Sequence, residues 1–359
     1  MSGTSHRFRW TLAAAVAAIC AVVVLFGVTR QSGSTAVATK PLQAVCPEGD
    51  AHLFTCQTAY YKGLVQRDSV KAAFASLKRE YVRTPSVHGN CHQLTHAIGQ
   101  AAGERYKDVS RAYEYGDNFC WSGYYHGVMQ AVVSKYGIAG TKQRLNTICA
   151  GIASAHRYSF DHYNCAHGLG HGVMLITNDE LFQSLRICDD LRDSWERQSC
   201  YGGVFMENIM ARLNPDHDTK YLRDDQPMYP CTAVADRYAQ QCYLMQTSRA
   251  LDVEGQDFKK VFRLCGQVKL AYRDTCWQSL GRDASGHSVS DVAKTHSTCM
   301  LGQSQEARAN CVIGAVKDFI AYYHGETQAV QLCDRFRGGL AATCNSTRVS
   351  FSASLKGQS

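Results

Sequence analysis

Val261-Phe262-Arg263-Leu264-Cys265-Gly266-Gln267-Val268-Lys269-Leu270-Ala271-Tyr272-Arg273-Asp274-Thr275-Cys276-Trp277 reads as the end of one helix and the start of another. The apolar run closes at Cys265, and Gly266 is a plausible C-cap. A short polar stretch follows. A second helix is expected to start a turn or so before Cys276, with Asp274 a candidate N-cap. A bridge between Cys265 and Cys276 would tie the two into a hairpin that brings their Cα atoms within bonding range. Each closed loop of this size stabilises by roughly 3 kcal/mol through loop-closure entropy.

The same unit recurs. Cys231, Cys265, Cys299 and Cys333 follow one another at 34-residue intervals. Each has a second cysteine 11 or 12 residues on: Cys242, Cys276, Cys311 and Cys344. Cys188 and Cys200 extend the series upstream with the same internal gap. A fixed period of this length belongs to helix-turn-helix solenoids. The chain has only 6 prolines and no sustained alternating pattern, which favours helix over sheet. Upstream the scheme continues with longer insertions: Cys149 with Cys165, Cys91 with Cys120, and Cys46 with Cys56. Pairing the sixteen cysteines from Cys46 onward in sequence gives eight bridges. Seventeen cysteines and no C-x2-C pair argue for disulfides in an oxidising compartment rather than a zinc-thiolate array.

The N-terminus is consistent with export. Residues 1–10 are a basic tail with Arg7 and Arg9, and Thr11 to Val28 is an uninterrupted apolar run. Its length suits an uncleaved signal-anchor, with the basic side cytoplasmic and the bulk of the chain extracytoplasmic, at the cell surface or in a periplasm. Cleavage near Ala36-Val37-Ala38, giving a secreted protein, is the alternative. Cys20 lies in the run without a lipobox and reads as unpaired. Residues 29–45 form a small, polar linker. The body divides into a histidine-bearing half, 46–178, and a regular cysteine-paired half, 179–350, with a tail at 351–359. The net charge is +7, but the first 40 residues carry four basic side chains and no acid. What remains is weakly basic and has no basic-aromatic run, so no nucleic-acid partner is expected.

Chemistry concentrates in one half. Asn164-Cys165-Ala166-His167-Gly168-Leu169-Gly170-His171-Gly172-Val173-Met174 holds two histidines four apart, on one face of a helix. The tetrapeptide His171-Gly172-Val173-Met174 also occurs as His126-Gly127-Val128-Met129, each copy six residues after a cysteine. Asn90-Cys91-His92-Gln93-Leu94-Thr95-His96 repeats the N-C start and the H-x3-H pair. In later units the sixth position holds Met206, Ser248, Arg282, Lys317 and Ser350, so a pure scaffold does not explain the histidines.

His92, His96, His126, His167 and His171 are therefore candidate ligands for zinc, copper or iron, as one ion with an open position or as two ions. Glu207 is a candidate carboxylate ligand or general base. Tyr124 and Tyr125 are candidate donors behind the ligands. His52, His156, His162, His217, His287, His296 and His324 read as ordinary core or surface residues, and His88 is left out of the ligand set because Gly89 and Asn90 are expected to precede the helix. Paired cysteines disfavour thiolate catalysis. There is no C-x-x-C-H, H-E-x-x-H, G-x-S-x-G or P-loop. Haem held by two of the histidines stays open.

Over residues 180–350 at most, the array resembles the Sel1-like, cysteine-rich helical repeats, relatives of tetratricopeptide repeats. The shared features are the period, the bridged hairpin and the stretch from Cys276 to Gly281. The expected architecture is all-α: disulfide-stapled helical hairpins, as a solenoid of that kind or a closed helical array, after an N-terminal membrane helix. The expected function is a metal-dependent oxidoreductase or hydrolase. The alternatives are a non-catalytic metal- or haem-binding protein, or a scaffold for protein or cell-envelope partners.

Overall fold

The computed structural model describes residues 40–106, 108–152, 159–210, 219–286, 288, 291–323 and 326–355. The apolar run 11–28, Cys20, the 36–38 cleavage site, His156, His217, His287 and His324 lie outside them. Among the described residues no helix is long and apolar enough to cross a membrane. The chain divides into two units, Met1–Val45 and Cys46–Ser359. The first contains the short helix α1 (Leu42–Val45).

The second unit is helical, with no strand among the described residues. Its helices are α2 (Leu53–Arg67), α3 (Val70–Tyr81), α4 (Pro85–Gly89), α5 (Cys91–Tyr106), α6 (Val109–Tyr113), α7 (Gly123–Arg144), α8 (Phe160–Ile176), α9 (Leu181–Asp189), α10 (Ser194–Met210), α11 (Asp236–Val253), α12 (Phe258–Gln267), α13 (Leu270–Gly286), α14 (Val292–Cys299), α15 (Gln305–Tyr323), α16 (Thr327–Cys333) and α17 (Gly338–Leu355). Short polar side chains set several starts by accepting a free N–H of the first turn. Ser159 accepts from His162 N at 3.2 Å, Asp257 from Lys260 N at 3.1 Å and Asp291 from Lys294 N at 3.0 Å.

Two capping expectations are corrected. Gly266 lies inside α12, which ends at Gln267, and Asp274 lies inside α13, which starts at Leu270. The junction is tighter than the local signals suggest, with only Val268 and Lys269 between the two helices. Asp274 instead accepts from Asn310 Nδ2 on α15, at 2.9 Å.

The long helices α2, α5, α7, α8, α10, α11, α13, α15 and α17 each pack against the next. Short helices α9, α12, α14 and α16 lie against the long helix that follows each of them. The bridges join Cys46–Cys56, Cys91–Cys120, Cys149–Cys165, Cys188–Cys200, Cys231–Cys242, Cys265–Cys276, Cys299–Cys311 and Cys333–Cys344, with Cα atoms 5.4–5.8 Å apart. Four of them run from a short helix to the long one after it, which fixes the hairpin. Eight disulfides suggest an oxidising, extracytoplasmic environment.

The succession bends back on itself. Asn118 Nδ2, just before α7, donates to Ala321 O of α15 at 3.1 Å, and the Trp121 ring lies against Gly286 of α13. Helices from the two halves thereby enclose a common interior.

Candidate metal centre

The five histidines that the sequence singles out meet in one buried cluster. His92 and His96 come from α5, His126 from α7, and His167 and His171 from α8; Glu207 joins them from α10. All six are buried, His171 completely. Close helix crossings bring them together. A Cβ on Gly127 would strike His96 O, and one on Gly99 would strike Tyr124 O. A Cβ on Gly203 would strike His167 O. With backbones in contact at these points, imidazoles from facing helices have only each other to meet. Ring centroids of His126 lie 4.4 Å from His171, 4.9 Å from His167 and 5.4 Å from both His92 and His96.

Hydrogen bonds around the cluster fix which nitrogens face inward. His92 Nδ1 lies 2.8 Å from Cys120 O. A carbonyl only accepts, so Nδ1 carries the proton and Nε2 a lone pair. His96 Nδ1 lies 3.1 Å from Gln130 Oε1. That amide is oriented by its other end, because Gln130 Nε2 donates to the Glu207 carboxylate at 3.4 Å while Gln100 Nε2 donates to Oε1 at 2.8 Å. His96 therefore also presents Nε2 as a lone pair. His171 Nδ1 donates to Glu207 Oε2, leaving Nε2 buried without a partner. His92 Nε2 and His96 Nε2 then stand 3.0 Å apart with no hydrogen between them. His126 Nδ1 is likewise buried without a partner. His167 is held between Tyr163 OH, 3.2 Å from Nδ1, and Met206 Sδ, 3.4 Å from Nε2.

Burial pushes the proton affinity of all five rings below the ordinary histidine range, well below it for His96, His126, His167 and His171. The neighbouring histidines push those four further down. For His92, the Cys120 carbonyl and Glu207 partly oppose burial. The rings are neutral at physiological pH, the state in which imidazole binds metal. Three overlapping groups, His92/His96/His126, His126/His167/His171 and His96/His171/Glu207, each bring ligand atoms within 4.8 Å of one another. These buried groups can hold a metal ion.

A cavity of about 510 Å³ adjoins the cluster and is lined by His92, His126 and His167 on one side. Met206, Met245, Trp121 and Phe160 contribute to its apolar wall, and Arg282, Asp283 and Asp318 to a polar one. Asp318 accepts from Ser285 Oγ at 2.7 Å and from the Trp121 side chain; burial pushes its carboxyl up to about 6. A smaller cavity of about 230 Å³ reaches His92, His96 and Glu207 from the α2 side.

Some expectations do not survive. Tyr124 and Tyr125 do not back the ligands. Tyr124 OH donates to Ala112 O at 2.7 Å, and the Tyr125 ring packs on Tyr113 with centroids 4.8 Å apart. One and two residues before His126 on a helix is roughly 100° and 200° around the axis, away from the imidazole. The supporting groups are instead Cys120 O, Gln130, Gln100, Glu207 and Tyr163. Gln130 follows His126 by four and Tyr163 precedes His167 by four, so helical spacing from each histidine finds both. His162, read as ordinary, pairs with Glu196 at 2.7 Å, and the His296 ring lies 4.8 Å from Phe336. Comparison with protein-family models, curated proteins and solved structures finds no match for this chain.

Proposed function

We propose that the cluster is a transition-metal centre and that the protein is a metal-dependent enzyme acting on a molecule held in the adjoining cavity. One observation carries the metal: two buried Nε2 lone pairs, of His92 and His96, 3.0 Å apart with no proton to share. Two imidazoles bound at ~2.1 Å on one ion are separated by about 3.0 Å at a right angle and by about 3.4 Å at a tetrahedral one, within a few tenths of an ångström of the observed spacing. His126 completes a three-imidazole set with them. Zinc, copper and iron all accept such donors. Ring contacts of 4.4–5.4 Å leave no slot between the imidazoles for a macrocycle, so bare ions suit the cluster better than haem.

The cavity favours an enzyme over a carrier, since three of the imidazoles border a space large enough for a small organic substrate. A bound ion would supply Lewis acidity, or redox chemistry if it is copper or iron. The chain's own residues do the rest. Gln130 and Glu207 hold His96 and His171 in the ligating tautomer, and Asp318, across the cavity, is a proton-handling or anchoring group for the substrate. We further read the protein as membrane-anchored through residues 11–28, its hairpin-repeat body outside the cytoplasm.

Purified, tag-free full-length protein in detergent should carry stoichiometric metal, and a His92→Ala/His96→Ala variant that keeps its helical circular dichroism should lose the ion held at that pair. Metal-free wild-type protein that gains no thermal stability from zinc, copper or iron would end the proposal.

A further inference from the structure

We infer that the cluster takes two metal ions, with His126 shared between them, an inference that rests on the metal reading above. The six ligating groups do not converge on one point, because their positions separate them. His92 and His171 share no group whose ligand atoms all lie within 4.8 Å of one another, and their ring centroids are 6.5 Å apart. The first ion sits at His92, His96 and His126. The second sits at His126, His167 and His171, which form their own group of ligand atoms within 4.8 Å.

Two unsatisfied atoms point to the second position. An ion at the His92–His96 pair leaves His171 Nε2 buried and orphaned, since Glu207 already holds the other nitrogen of that ring. Leaving such an atom unmade costs about 1–3 kcal/mol. His126 is the only residue common to both imidazole groups, and its Nδ1 has no protein partner. An imidazole serves two ions only by using one nitrogen for each, so binding the second ion releases the remaining ring proton of His126 to solvent.

The two positions differ in character. Beside the second lies Met206 Sδ, 3.4 Å from His167 Nε2. A thioether at that place makes it the softer of the two, and copper is the ion that it selects. The first position is backed by amide and carbonyl oxygens behind its imidazoles and suits zinc, iron or copper alike.

The test loads the disulfide-intact full chain with copper(II), removes loose ions by dialysis, and measures metal per chain together with the electron paramagnetic resonance spectrum. Wild type should retain two ions with a magnetically coupled signal. His92→Ala and His167→Ala should each retain one, with an isolated copper signal, and His126→Ala should lose the coupling and at least one ion. One retained ion with an isolated signal in wild type would overturn the two-ion inference but leave the metal centre standing. No retained ion would overturn the metal centre itself. The wild-type spectrum decides the matter even if a variant fails to fold.

Discussion

At His126, His171 and Arg282 the sixth residue after the second cysteine of a bridge lies at or beside the common interior, yet the two halves of the molecule fill it differently. In α7 and α8 it is His126 and His171, whose inward nitrogens include two with no partner. In α13 it is Arg282, which donates to Leu244 O at 2.9 Å, Ser248 Oγ at 2.8 Å and Asp283 Oδ1 at 2.8 Å. Around it Thr247 Oγ1 donates to Asp283 at 2.6 Å, meets Ser279 Oγ, and Ser279 Oγ donates to Leu244 O at 2.6 Å. Around Arg282 the polar groups are closed by the protein's own atoms, whereas the histidine cluster leaves acceptors facing one another. Buried polar groups are normally satisfied, so the cluster left open is the one that expects a ligand.

The comparison breaks most sharply on metal content. His92→Ala/His96→Ala should abolish binding at the first position with the fold retained. Thr247→Val/Ser279→Ala, an equally buried pair, should leave metal content unchanged and lower stability by about 1–3 kcal/mol through orphaned partners. Metal analysis and thermal melts on both variants check this. Metal loss in the second variant would mean that the two halves are not separable in function.

Helix crossings supply a second contrast. Gly127 against His96 O and Gly281 against Cys311 O are equivalent close approaches in the two halves. Alanine at either should cost about 1–3 kcal/mol by overpacking. Only Gly127→Ala should also weaken metal binding, because it pushes α5 and α7 apart at the level of His96. Parallel titrations with one metal resolve the two effects.

Both halves were readable to different depths. The helical class, the hairpin cysteines and the five histidines follow from spacing alone, because a bridge and an i,i+4 pair are local facts. Helix ends at Gly266 and Asp274 were misread because α12 runs past its local stop signal and α13 begins before its local start signal, where Asp274 is engaged by Asn310 of α15 instead of capping. Tyr124 and Tyr125 were misassigned because adjacency in sequence is not adjacency on a helix. Met206 was legible as a departure from histidine but not as a neighbour of His167, since that contact spans α8 and α10. The return of Asn118 and Trp121 to α13 and α15, which makes one cavity from both halves, had no local sign at all.

A smaller effect is expected at Gln130. Its amide links His96 to Glu207, so Gln130→Leu leaves His96 free to turn or change tautomer without removing a ligand. Outer partners of this kind typically change metal affinity 10–100-fold. Gln278, which bonds Asn310 at 2.9 Å in the other half, should show no such effect when replaced by Leu. Competition with a chelator measures both.

The smallest contrast is in pH dependence, where the histidine cluster and Asp318 have opposite signs. In the metal-free protein burial holds His96, His126, His167 and His171 neutral far below ~6.5, where the unfolded chain protonates them. Below ~6.5 the unfolded state therefore binds more protons, and stability falls as pH falls. Asp318 works the other way. Its folded-state carboxyl titrates at about 6 and its unfolded one near ~3.9, so between these values the folded state holds the extra proton. Its contribution is present below ~3.9 and is lost as pH rises through about 6. Four rings outweigh one carboxyl, so the melting temperature of chelator-treated protein should drop between pH 7 and pH 5. Asp318→Asn should steepen that drop by removing the opposing contribution of its carboxyl. His126→Ala/His171→Ala should flatten it, and a slope unchanged by either substitution would mean that the rings are not held neutral by the fold.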